Sequence, residues 1–166
     1  MLGQTLIVRA ALLVALAALL EVALSPLITF GWVSPRFVVL GVVIAATGLR
    51  EFQALLLGFF GGVLVDALGG GLFGVGALSS VLAAAVSVRV GITRRKGEVR
   101  LLAQAVAVAT MVYDLLNLFA LSLTNHSGPP IVSYLVGGVV PDILVNVFLA
   151  YLVGSRLLRL ITTKEQ

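Results

Sequence analysis

The chain has 166 residues, 60% of them hydrophobic and only 11% charged, against roughly 25% charged in an ordinary soluble domain. Eleven basic and seven acidic residues cannot clothe a water-soluble fold of this length, and hydrophobicity this high excludes intrinsic disorder. The formal charge of +4 is read as basic residues held on one side of a membrane, not as a nucleic-acid surface.

The apolar runs predict an all-α polytopic membrane protein, a single integral domain of six transmembrane helices in one bundle. The first run, 6–24, ends at Ser25-Pro26, a loop signal. It is read as an uncleaved span, because Glu21 falls where the apolar region of a signal peptide would give way. The second, 36–49, is short and borrows Arg36, whose long stem is expected to snorkel outward. The third, 54–68, breaks at Gly69-Gly70-Gly71, and the fourth covers 72–92. The dense charge run Arg94-Arg95-Lys96-Gly97-Glu98 separates it from the fifth, 99–123. The sixth, 131–153, follows Gly128-Pro129-Pro130. A span uses about 20 residues, so six leave only short loops and tails. Sorting the connections by parity puts ten basic residues on the side of the termini and Arg36 alone on the other. This asymmetry predicts two cytoplasmic termini and an even number of spans.

Charged groups in hydrocarbon are costly, so each is a candidate site with a partner to be found. Glu21, Asp66, Asp114 and Asp142 all fall in the outer half of the predicted bundle. They form either a shared polar cavity or partner seat, or four separately satisfied groups. Asp114 with Asn117, and Asp142 with Asn146, sit three and four residues apart, on one helix face each. Tyr113 and Asn117 offer donors for a carboxylate. Arg36 is the only cation predicted on the outer side and the natural counter-ion for one of the acids. Asp66, just before a glycine turn, is expected to accept hydrogen bonds from the N-terminus of the fourth span.

Glycine numbers 18. Gly58 with Gly62, Gly70 with Gly74, and Ala11 with Ala15 have the spacing that lets helix backbones approach closely. They serve either internal packing or a partner's helix, for which Gly58, Gly61 and Gly62 are the candidates. A shared GGVxxD pattern, at Gly61 to Asp66 and at Gly137 to Asp142, suggests an inverted three-plus-three repeat.

No enzyme constellation is present: there is no G-x-S-x-G elbow, Walker loop or H-E-x-x-H. With no cysteine and one histidine, His126, thiolate and polyhistidine metal sites within one chain are excluded, and no cofactor is expected. His126-Ser127 reads as a solvated loop.

The stretch Gly58-Phe59-Phe60-Gly61-Gly62-Val63-Leu64-Val65-Asp66-Ala67-Leu68, followed by Leu72-Phe73-Gly74-Val75-Gly76-Ala77-Leu78, resembles the signature of the MreD family of rod shape-determining membrane proteins. Pro141 and Asn146 resemble a proline and an asparagine of that family's last span. Family sequences often read Pro-Asp where this chain has Pro35-Arg36, and the resemblance assigns no role to Asp114 or Asp142. It implies a non-enzymatic scaffold of the elongation machinery in the bacterial inner membrane. The implied partners are MreC, with MreB, RodA and a class B penicillin-binding protein. It also implies a fold similar to the S subunits of energy-coupling-factor transporters. The alternatives are such a small-molecule-binding S subunit, or a proton-coupled carrier using Asp114 or Asp142.

Overall fold

The computed structural model describes residues 2–29, 31, 33–70, 72–89, 99–124 and 130–162. Trp32, Gly71, the charge run from Arg94 to Glu98, His126-Ser127, Gly128-Pro129 and Lys164 lie outside the described residues. The described elements are α1 (Leu2–Ile28), α2 (Phe37–Ala46), α3 (Glu51–Gly69), α4 (Val75–Arg89), α5 (Val99–Thr124), α6 (Ile131–Tyr134), a π-helical turn (Leu135–Val139) and α7 (Val140–Thr162). Among the described residues there is no strand. Among the described residues four helices are long and apolar enough to cross a membrane: α1, α3, α5 and the continuous rod Ile131–Gly154. α2 and α4 are shorter, with 10 and 15 residues, or about 15 and 22 Å against a hydrocarbon thickness of about 30 Å.

Five helices, α1, α3, α4, α5 and α7, close a ring around α2. α1 packs on α3, α3 on α4, α4 on α5, α5 on α7, and α7 meets α1 again along a slight seam; α2 touches all five. Every residue of α2 from Val38 to Ala46 is buried. A helix apolar on all sides belongs in an interior, and this one carries Val38, Val39, Val42, Val43 and Ile44 around its whole circumference. Gly41 lets it lie close to α1, since a Cβ there would stand 2.6 Å from Ala17 Cβ. At its C-terminus the chain tightens into a turn, with Thr47 Oγ1 donating to the Ile44 carbonyl at 2.7 Å and Gly48 N to the Ala45 carbonyl at 3.2 Å.

The inward stripe of α1 is Ala10, Val14, Ala17, Ala18, Glu21 and Ser25, with Leu12, Leu16 and Leu19 outward. The buried small residues are thus not the Ala11–Ala15 pair, which lies only half-buried beside the stripe. α1 also continues through Ser25-Pro26 to Ile28. Pro26 forfeits one N–H, and the last turn still closes through Thr29 N to the Ser25 carbonyl at 2.8 Å. In the last rod the π turn has a local cause. It ends just before Pro141, and Val140 N reaches back five residues to the Leu135 carbonyl.

Candidate functional site

A short central helix starts inside the bundle, and that creates a chemical need. Its first N–H groups, and those of the segment just ahead of it, have no intrahelical partner, and a buried backbone donor needs one. Side chains from α1 and α7 do so. Ser34 N donates to Asp142 Oδ1 at 2.6 Å, Arg36 N to Asn146 Oδ1 at 3.1 Å, and Val38 N to Glu21 Oε2 at 2.7 Å. Carboxylates at this helix end are further favoured by its dipole.

The Arg36 side chain turns into the same place. Nε donates to Asp114 Oδ1 at 3.0 Å, Nη2 stands 4.0 Å from Asp142 Oδ2, and the guanidinium carbon lies 5.2 Å from the centre of the Tyr113 ring. Glu21, Asp114, Asp142 and Asn146 are each exposed by 4% or less. Asn146 Nδ2 donates to Thr110 Oγ1 at 3.3 Å, tying α7 to α5. Ser25 Oγ and Ser34 Oγ, 2.5 Å apart, fasten the end of α1 to the same segment.

Three of the four acids therefore share one network around residues 34–38, and Arg36 is the counter-ion of Asp114. Its guanidinium does not snorkel outward, because two carboxylates and an aromatic face hold it inside. Asn117 does not supply a carboxylate: its Nδ2 donates to the Tyr113 backbone carbonyl at 2.9 Å, four residues back on the same helix. Ser34 and Thr110 belong to the network without having been singled out by the sequence. Thr110 carried a usable signal, one turn before Asp114 on the same face.

Asp66 has its own partners. Its carboxylate accepts from Gly74 N at 2.8 Å, Gly76 N at 2.9 Å and Ala77 N at 3.0 Å, capping α4 from another helix. Gly58, Gly62 and Asp66 recur every fourth residue and form the face of α3 that meets α4. A Cβ at Gly58 would lie 2.7 Å from the Ser80 carbonyl oxygen, and one at Gly62 would collide with the Gly76 carbonyl oxygen. Gly61 faces Val14 of α1 and Val38 of α2. All three glycines are thus filled by the chain's own helices, and the partner seat considered for them is already occupied. Gly70 and Gly74 are not a packing pair. Gly70 ends α3 at φ 69° and Gly74 turns toward α4 at φ 96°, both left-handed conformations that glycine adopts without strain.

Removing the Asp66 cap has a predictable effect. Charge-assisted bonds of this kind are worth roughly 1.5–3 kcal/mol. Asp66→Leu should lower the thermal midpoint in detergent clearly, and Asp66→Asn, which keeps an acceptor, should lower it less. A midpoint unchanged in Asp66→Leu would show that the three N–H groups are served otherwise.

The signature glycines and Asp66 are thus the parts that let α3 and α4 touch and α4 begin. A family model described as rod shape-determining protein MreD matches residues 2–162 of the chain. No curated protein and no solved structure gives a significant match. With its apolar spanning helices and a family match over nearly its whole length, the chain belongs to the MreD family of multi-pass rod shape-determining membrane proteins.

Proposed function

We propose that the protein is a non-enzymatic scaffold of the cell-elongation machinery in the bacterial inner membrane. It binds MreC and so links the MreB cytoskeleton to peptidoglycan synthesis by RodA and a class B penicillin-binding protein. The observation that carries this reading is the family match over residues 2–162. The chain crosses the membrane six times, with both termini cytoplasmic. The ten-to-one sorting of basic residues supports that orientation. The short α2 and α4 are read as two of these six crossings.

With the α3 glycines occupied, the seat for the single span of MreC is sought at the α1–α7 seam. There the ring is least closed, and an open groove of about 430 Å³ is lined only by apolar residues: Ile28, Pro35, Phe37, Leu144, Val145, Phe148 and Leu149. Helices associate in lipid through such close packing.

The absence of cysteine makes the test clean, since each introduced thiol is unique in the chain. Pull-down from native membranes should recover MreC. Leu144→Cys at the groove should cross-link to it, while Leu78→Cys, exposed on α4 across the ring, should not. Reporter fusions at the two ends should both give cytoplasmic signals. Recovery of paired ATPases in place of MreC would overturn the scaffold in favour of a transporter subunit. MreC cross-linked at position 78 alone would move the seat elsewhere.

A further inference from the structure

The network around Arg36 leaves one buried carboxylate oxygen without a donor among the described residues. Arg36 Nε serves Asp114 Oδ1, Ser34 N serves Asp142 Oδ1, and Val38 N serves Glu21 Oε2. Asp114 Oδ2 is fully buried and, among the described residues, receives no donor. The Asp142 carboxylate stands on the same guanidinium, with Oδ2 4.0 Å from Arg36 Nη2 while Asp114 Oδ1 is 3.0 Å from Nε. Two carboxylates gathered on one guanidinium repel each other, and a low-dielectric interior magnifies the cost. One proton between them turns the repulsion into a hydrogen bond, as in other buried carboxyl pairs.

The surrounding groups fix which acid carries it. The titratable and charged groups here are Glu21 on α1, Arg36 ahead of α2, Tyr113 on α5, Tyr134 on α6 and Asp142 on α7. Asp66 of α3 is engaged by α4. Arg36 is the only cation among them. Both oxygens of Asp142 already face donors, Ser34 N at 2.6 Å and Arg36 Nη2 at 4.0 Å. Asp114 has one oxygen facing a donor and one buried oxygen that, among the described residues, faces none. We propose that Asp114 and Asp142 form a proton-binding site, with a single proton carried on Asp114 Oδ2 and donated to the Asp142 carboxylate. The pair then bears one negative charge against the one guanidinium. The proton latches α5 to α7 at the start of the central helix, independently of the scaffold reading.

Infrared spectroscopy of the purified full-length protein at neutral pH tests this. Wild type should show the C=O stretch of one protonated carboxyl per chain, shifted by exchange into D2O. Asp114→Asn should lose the band yet keep its thermal midpoint within a few degrees, because the amide N–H replaces the O–H toward Asp142. Glu21→Gln should retain the band, which separates Asp114 from the other buried acid. Folding that takes up a proton is disfavoured as pH rises, so the wild-type midpoint should fall with pH more steeply than that of Asp114→Asn. No band in wild type, a band that survives Asp114→Asn, or one that disappears in Glu21→Gln would overturn the proposal. So would a midpoint raised by sodium chloride but not by choline chloride, which would make the site one for a metal cation.

Discussion

Arg36→Met should be the most damaging change of a charged residue in the chain, costing about 3–5 kcal/mol, the usual effect of removing one partner from a buried ion pair. The methionine fills much of the space, and the backbone bond from residue 36 to Asn146 survives. What is lost is the only cation that, among the described residues, stands against Asp114 and Asp142, together with the contact over Tyr113. Arg36→Lys should recover part of the loss, since a single ammonium restores the charge but not the fork that reaches both aspartates. Thermal unfolding in detergent decides the matter. Equal midpoints for wild type and Arg36→Met would mean that the network does not hold the bundle together.

A comparable loss is expected from Gly62→Leu. Ordinary overpacking costs about 1–3 kcal/mol and occasionally more, and this site belongs at the upper end. A Cβ at position 62 would stand 2.5 Å from Ala77 Cα and 2.6 Å from Ala77 N, which are backbone atoms that cannot rotate away. Pushing α4 off α3 also pulls Gly76 and Ala77 from Asp66, so packing and capping fail together. Leu56→Ala, on the exposed side of the same helix, should stay within roughly 0.5 kcal/mol of wild type. A stable Gly62→Leu that no longer captured MreC would return these glycines to the partner surface.

The α3–α4 unit was legible in the sequence because its chemistry is local. Gly58, Gly62, Asp66, Gly74 and Gly76 lie within 19 residues, and glycine turns, helix spacing and an acid before a helix start are short-range signals. The network around Arg36 was legible only as an inventory. Composition marked Glu21, Arg36, Asp114 and Asp142 as unusual, and charge arithmetic paired the cation with an acid. Nothing local showed that the acids serve the backbone of residues 34–38, because that need arises only when α2 is enclosed by five other helices. Hydropathy likewise could not show that the second apolar run is a core helix: a run apolar on all sides looks alike in lipid and in a protein interior. The span edges shifted for the same kind of reason, with α1 passing Pro26 on the strength of its last turn.

The capping of the central helix also orders events in time. α2 and the side chains that complete its start are far apart in the chain: Ser34 waits for Asp142, 108 residues on, and Arg36 for Asn146, 110 residues on. At a synthesis rate of about 5–20 residues per second, the ribosome needs roughly 5–20 seconds to deliver them. Until then Glu21 is the only one of these caps already made, and the guanidinium waits for Asp114, 78 residues on. The nascent chain must therefore keep the second segment near a watery interface or in the care of the insertion machinery. The last helix to emerge closes the ring and fixes the first short one at its centre.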